Sequence, residues 1–577
     1  MEGSHPGLGP SGGNAVKERR DVPNDKTTNL AGWRPRFVAV CVVLSLASLL
    51  IPHLIAQVPP VVDFPNHLAR LWLVAGGIRL PPLDRYYMID WSRTSTNVGS
   101  DLAATLIGPV VGGETFARGL LAVSLILPCV AGVALHRKQF LGLHWWQLTF
   151  AFAAWGRPGL MGLMNFQTSV GLAVLAAAVD PHLRRLGPVG AFAARAMVGA
   201  TIFLWHPFGA PFYAGLLAAL AMGPDVTPFL TWRSARERIV PIGAALAAAA
   251  IPGLIILLMA SSAKSGATII AWPPFEPTKK LAMLAGGMYG DLLWADVAAA
   301  VTMAAILAAS AVQRRLRVHF GLLLLAIGLI VVALLMPSRI GSAWEVDRRL
   351  PIMALLTFLA AVRPDLALSR VATRVLASLL LALGLIRTAA VAMAWSSAQR
   401  DIGGLRAVLA SVPEGASLLT ILHDPTPAEA THAPNGRYLR YVRNFDHYGA
   451  LAVPWRHAFV PNLFALKGQQ PLTVRPPFTQ MSGSAGNPAT IADLYVPRAP
   501  GVAYAARWRS CFQYMLVLNG DLPDARAPAL PLADLTPVAD RGFAALYRIK
   551  TYAPDACLAA SPTAAPADVS SAPHQRR

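Results

Sequence analysis

The sequence predicts a mainly α-helical, polytopic membrane protein of about eleven spans that carries a C-terminal extracytoplasmic α/β domain. Three observations carry that prediction. Apolar residues make up 55% of the chain and charged residues only 14%. Several windows of about 20 residues hold no charge, the length a helix needs to cross a bilayer. Arg and Lys fall in short clusters between the apolar runs, as expected if the clusters stay on the cytoplasmic side. The formal charge of +20 over 577 residues would suit a nucleic-acid partner. Its distribution argues against one, because there is no zinc spacing, no aromatic RNA-binding motif and no long basic stripe.

Taken in order, residues 1–32 are rich in Gly, Pro, Asn and charge and read as a disordered cytoplasmic N-terminus. Lys17, Arg19, Arg20, Arg34 and Arg36 precede the apolar run Phe37–Gln57. That run is too long for a signal-peptide core and no cleavage site follows, so it reads as an uncleaved first span. Residues 66–111 then hold two interfacial helices, the first ended by Pro81-Pro82. Basic clusters at His136-Arg137-Lys138, Arg184-Arg185, 233–238, 314–317 and 363–374 mark the remaining cytoplasmic loops. Two crossings separate each neighbouring pair, among them Trp145–Trp155 with Phe166–Val179 and Val189–Trp205 with Phe208–Met222. The membrane domain thus covers 33–395, with the N-terminus inside and the C-terminus outside. Residues 396–557 read as an α/β domain with strands at 417–422, 514–519 and 544–549 and helix pieces at 402–409 and 438–442. An Ala/Pro/Ser tail, 558–577, is expected to be disordered. Cys41 and Cys129 fall in apolar runs as small hydrophobes. Cys511 and Cys557 lie where a disulfide can form, though their spacing does not decide whether they pair.

The stretch Val61-Val62-Asp63-Phe64-Pro65-Asn66-His67-Leu68-Ala69-Arg70 follows the first span directly. Pro65 disfavours a helical residue before it, and Asn66 is placed to cap the helix that restarts there. His67 and Arg70 are then three apart on one face, with Asp63 at the positive helix end. Asp63 has two readings: a cap or partner for Arg70, or a general base or metal-associated carboxylate at a lipid-facing cleft. No motif specifies a cofactor.

An uncleaved span, an acid within a few residues of its outer end, interfacial helices, further spans and an external C-terminal domain together resemble the GT-C class of integral-membrane glycosyltransferases. The Asp63–Arg70 segment also resembles one in uncharacterised bacterial membrane proteins of this type. The resemblance implies a polyprenyl-phosphate-linked sugar as donor, membrane lipid as surroundings, an inner-membrane location and a catalytic acid in the first external loop, a role that only Asp63 matches. Two features depart from the class. Asp63 has no acidic neighbour, and the aromatic-Trp-Asp signature of oligosaccharyltransferases is absent.

Such a reaction builds negative charge on the leaving phosphate, so fixed guanidiniums are needed, and an acceptor hydroxyl must lose a proton to a base. Arg348 and Arg349, in Glu345-Val346-Asp347-Arg348-Arg349, are the first candidates for the phosphate; internal pairing with Glu345 or Asp347 is the alternative. Arg70 is another candidate. His67 and His206 are candidate substrate contacts, the latter set against an ordinary interfacial histidine beside Pro207. Asn165 can meet a sugar hydroxyl or satisfy backbone groups freed by the Gly156–Gly159 break. Asp291 is a possible second acid or a helix cap. The rival functions are a transporter or lipid flippase, for which mid-span charges such as Arg387 would speak, and a non-enzymatic anchor for the C-terminal domain.

Overall fold

The computed structural model describes residues 33–559, apart from 227–231, 262–269, 273–275, 291, 341–342, 425–433, 435, 440–441, 498–499 and 523–527. The expectations for residues 1–32, for Asp291 and for the tail 558–577 lie outside the described residues, except that 558 and 559, expected to be disordered, end the helix Pro554–Ala559. The protein is a multi-pass helical membrane protein with a strand-bearing C-terminal region. Among the described residues, six helical stretches are long and apolar enough to cross a membrane: Arg36–Ile55, Gly113–Gln139, Met164–Trp205, Ala235–Ile256, Leu293–Val312 and Arg370–Leu409. Gly99–Val111, Gly209–Met222 and Phe320–Leu335 are shorter apolar helices.

We label the elements that frame the first loop and the spans around it. Helix α1 is Trp33–Ser48, α2 Phe64–Val74, α3 Gly99–Val111, α4 Gly113–Gln139, α5 Met164–Leu183, α6 Gly187–Trp205, α7 Arg370–Leu409. The expected crossing at 145–155 is not a span. Trp145–Ala153 is a buried 3₁₀ helix of nine residues, which at about 2 Å per residue is too short to cross a bilayer. It packs against α1, α4 and α7 inside the bundle. Helix α3 keeps Ser100, Asp101 and Ala104 buried and turns Leu106 and Val110 outward, 76% and 85% exposed. That one-sided apolar face suits a helix lying in lipid.

Helix α4 sets the polarity of the molecule. Its N-terminal Gly113 lies against Trp72 of α2, and its 27 residues separate its ends by about 40 Å. At the far end His136 contacts the Val362 carbonyl and Arg363 donates to the Phe140 carbonyl. There Leu316–Val318 pairs antiparallel with Val362–Pro364, and Asp365 takes both Arg317 and Arg363. Three basic loops therefore gather at the end opposite α2.

Helix α7 runs unbroken for 40 residues past Trp395 to Leu409, so Ile402–Leu409 belongs to it. The strands of the first loop and the C-terminal region are β1 Tyr87–Ile89, β2 Leu418–Leu422, β3 Leu472–Val474, β4 Ala489–Thr490, β5 Tyr514–Leu518, β6 Leu535–Asp540 and β7 Ala544–Ile549. A five-stranded sheet has the order β4-β2-β5-β7-β6, parallel across β4-β2-β5 and antiparallel beyond. Residues 438–443, expected to include a helix piece, instead pair Tyr438–Leu439 with Val442–Arg443. Cys511 and Cys557 form a disulfide.

The C-terminal region is joined to the first loop along a continuous seam. Strand β1 pairs antiparallel with β3, Tyr87 opposite Val474. The Tyr87 hydroxyl donates to the Val460 carbonyl at 3.0 Å and accepts from the Val460 N–H at 2.8 Å. Farther along, Gly468 exchanges backbone hydrogen bonds with Arg93 and Ser95.

Candidate active site at the end of the first span

The helix after the first span starts earlier than the sequence suggests. Asp63, not Asn66, occupies the N-cap, and Phe64 and Pro65 are already helical. Proline is accommodated in the first turn because the N–H it lacks would have no partner there. The Asp63 carbonyl takes the first helical bond from His67 N–H, while its carboxylate makes no capping bond. That leaves the carboxylate, 20% exposed, facing other elements. Its backbone is fixed from behind, since Asp63 N–H donates to the Met161 carbonyl at 3.1 Å. Met161 ends the short helix Arg157–Met161, and Gly162 turns the chain there with φ +82°. A Cβ on Gly162 would meet Val61 Cγ1 at 2.8 Å, so both the backbone angle and the space require glycine.

Asn66 sits one turn into α2 and faces the C-terminal region. Its Oδ1 accepts from the Phe464 N–H at 2.8 Å and its Nδ2 donates to the Asn462 carbonyl at 2.9 Å. Phe459–Leu463 is thus part of the docking strip for the first loop. The seam delivers His447, whose Nε2 lies 3.6 Å from Asp63 Oδ1. The imidazoles of His447 and His67 both rest on the Phe464 ring, at 5.0 and 5.1 Å between centroids. Burial, with Arg70 and His447 adding to it, holds His67 well below the usual imidazole range, so its ring is neutral at physiological pH.

Arg349 approaches the same neighbourhood from the loop before Leu350–Ala361. Its Nη1 donates to His206 Nε2 at 2.7 Å. Its guanidinium stands 5.8 Å over the Phe166 ring and 5.9 Å over Phe208. Burial weakens its hold on the proton, and the carboxylates that oppose this are Glu345 and Asp63. Asp63 is thus one of the carboxylates that bear on Arg349, from almost three hundred positions earlier in the sequence. Burial and then Arg349 keep His206 well below the ordinary imidazole range, so it accepts from Arg349 as a neutral base.

Glu345 binds Arg157 Nη2 and Arg348 Nη1, each at 2.6 Å. Burial raises its pKa, but Arg157 and Arg348 outweigh that and leave it below the usual carboxylate range. Asp347 is taken by Lys280 at 2.6 Å. The internal pair weighed for Arg348 is therefore formed, with 45% of its side chain still exposed.

Two candidates are committed elsewhere. Arg70 pairs with Asp101, not Asp63, at 3.0 Å, and neither side chain has any exposure. A guanidinium closed off in this way has no face left for a lipid phosphate. Asn165 donates to the Asn97 carbonyl and side chain, both at 2.9 Å, and accepts from Ser100 N–H. Its amide ties the loop before α3 to the start of α5, so the backbone groups it satisfies are those of Asn97 and Ser100 and not ones freed by the Gly156–Gly159 break. Arg387, the mid-span charge a transporter would use, is bound to Asp296 at 2.9 Å and to the Phe152 carbonyl. Among the described residues no group of three or more His, Cys, Asp or Glu side chains is placed to hold a metal ion.

No family model matches the chain, and no curated protein matches it. Among solved structures it is similar to ArnT from Cupriavidus metallidurans in the apo state, at 12% identity over 91% of this chain and 99% of that one, with a TM-score of 0.46. ArnT bound to undecaprenyl phosphate gives 12% identity, 90% and 98% coverage, and a TM-score of 0.47. The arabinofuranosyltransferase AftD from Mycobacteria gives 16%, with 89% of this chain and 40% of that one covered, at 0.43.

Proposed function

We propose that this protein is a membrane glycosyltransferase that moves a sugar from a polyprenyl-phosphate carrier to an acceptor at the membrane face bearing Asp63. The observation that carries the reading is the partly exposed Asp63 carboxylate at the end of the first span, within electrostatic reach of the Arg349 guanidinium. In the reaction the acceptor oxygen bonds to the anomeric carbon and the bond from that carbon to the phosphate oxygen breaks. Asp63 takes the acceptor proton, and the polyprenyl phosphate leaves with its charge. Arg349, steadied by His206 and by two aromatic rings, is the phosphate ligand, and Arg348 lies at the exposed edge.

The gathering of basic loops at the opposite end of α4 supports an orientation with that end in the cytoplasm and with Asp63 and the C-terminal region outside the inner membrane.

The test is Asp63→Asn in proteoliposomes with radiolabelled polyprenyl-phosphate sugars. The carboxamide keeps the shape and loses the base, so transfer should fall by about a hundredfold or more while the disulfide and membrane insertion persist. Transfer at the parent rate would remove the assignment.

A further inference from the structure

The Asp63 carboxylate faces an imidazole from the far end of the chain, and the hydrogen-bond network around that imidazole fixes which nitrogen carries its proton. The argument starts at Asn66, which is fully buried. Its Oδ1 must be the atom beside Phe464, because the partner there is a backbone N–H at 2.8 Å. Its Nδ2 must be the atom beside Asn462, because the partner there is a carbonyl at 2.9 Å. A flipped amide would set two donors against each other and two acceptors against each other. With the amide fixed, the group 3.4 Å from His447 Nδ1 is an N–H donor. Nδ1 therefore accepts, and in the neutral ring the proton sits on Nε2. Nε2 is the atom that faces Asp63 Oδ1, 3.6 Å away.

The chain Phe464 N–H, Asn66, His447, Asp63 thus runs in one direction and ends with an N–H turned toward the acid. Packing holds the imidazole in that plane. It is 8% exposed, stands edge-on to Phe464, and immediately precedes the buried turn Tyr448–Leu451. Two other groups bear on this corner: Arg349, which acts on Asp63, and His67, which shares the Phe464 ring and is kept neutral by burial.

We propose that His447 is a positioning residue for Asp63, holding the carboxylate by its Nε2–H so that the C-terminal region completes the catalytic site instead of only covering it. The inference deepens the glycosyltransferase reading and rests on Asp63 being the base. It gives the C-terminal region a chemical role and explains why the seam is built of directed polar contacts. With one oxygen oriented toward His447, the other is presented to the acceptor hydroxyl. At 3.6 Å the contact is longer than a hydrogen bond, and under the proposed role it tightens when substrate occupies the corner, as catalytic hydrogen bonds that are long in the free enzyme do.

The experiment has a spectroscopic arm and a kinetic arm, both on the full chain in lipid. Solid-state nitrogen spectra of histidine-labelled protein, with His447→Gln used to assign the signal, report the tautomer directly. The expected result is protonated Nε2 and bare Nδ1; a ring protonated on Nδ1 overturns the proposal. In proteoliposomes with a radiolabelled polyprenyl-phosphate sugar, His447→Ala should lower kcat by about tenfold to a hundredfold and leave KM for the lipid donor unchanged. His447→Gln, which can place an N–H near the Nε2 position, should recover most of the rate. His447→Ala at the parent kcat overturns the proposal, as does a loss confined to KM. An active His447→Ala beside an inactive Asp63→Asn removes only the positioning role. An active Asp63→Asn removes the base, and with it any role exerted through it.

Discussion

Removing the Asn66 amide should loosen the seam between the first loop and the C-terminal region without disturbing the spans. The side chain makes two strong hydrogen bonds, from Phe464 N–H at 2.8 Å and to the Asn462 carbonyl at 2.9 Å, with no exposure to water. In Asn66→Ala both backbone groups lose their partner and stay buried. Each such group costs about 1–3 kcal/mol. Taking the lower part of the sum for the pair, about 2–4 kcal/mol, and about 1.4 kcal/mol per tenfold in an equilibrium, local opening becomes about 30- to 700-fold more populated. Hydrogen exchange followed by mass spectrometry reads this directly. Peptides covering 459–466 and β3 should exchange faster by that factor, because β3 is held to β1 along the same seam. Peptides from α4 and α5 should be unchanged. Unaltered protection at 459–466, or a uniform loss across the molecule, would refute the reasoning.

Other outcomes follow from the same structure. His67 and His206 have folded-state pKa values held below 6.5 by burial. Their contribution is intact above pH 6.5 and declines below it, because the unfolded rings take up protons that the folded rings refuse. Stability should fall by up to about 1.4 kcal/mol per pH unit for each ring, and His206→Phe should flatten that slope in denaturation measured from pH 7 to 5. Asp101→Leu strands the Arg70 charge, which has no exposure, and should cost about 3–5 kcal/mol; the double change Asp101→Leu with Arg70→Met should recover most of it in detergent melting experiments. Reducing Cys511–Cys557, which are separated by 46 positions, should destabilise the C-terminal region by about 4 kcal/mol on chain-entropy grounds, with faster proteolysis there as the readout.

The sequence made the membrane part legible because its signals are long and local. A run of uncharged residues and a cluster of Arg read the same way wherever they occur, so the spans within Gly113–Gln139 and Arg370–Leu409 could be placed from composition alone, though not the run of the latter helix past Trp395. The strand Ala544–Ile549 was legible for a similar reason, since alternation is a local pattern. Where the reading failed, the deciding contact was remote. Trp145–Ala153 has the apolar content of a span, but burial inside the bundle, not lipid, explains that content. Arg70 lies seven positions from Asp63, and proximity in sequence suggested a pair; the partner is Asp101, brought over by α3. Asp63 and Arg349 could be nominated separately as an acid and a phosphate ligand because each borders a span. Nothing local to Asp446-His447 marks that histidine, since its meaning depends on a carboxylate 384 positions earlier.

The way the charges are arranged limits what else the site can be. Ionisable groups at a membrane boundary are costly unless paired or used, and most here are closed within the protein. Arg70 has Asp101, Arg387 has Asp296, and Lys280 has Asp347. The cluster around Glu345 and Asp63 differs because its carboxylate and its outermost guanidinium retain exposure. A structural network gains from being sealed, as the Arg70 pair is. One left open beside the membrane keeps a carboxylate and a guanidinium within reach of a ligand. Arg349→Lys separates the two cases, because it keeps the charge but loses the planar fork and its stacking over Phe166 and Phe208. If the site only holds the fold together, the variant should bind polyprenyl phosphate in nanodiscs as the parent does. If Arg349 is the phosphate ligand, affinity should fall about tenfold or more while exchange protection of the seam stays as it was. Equal binding by the two proteins would defeat the phosphate assignment.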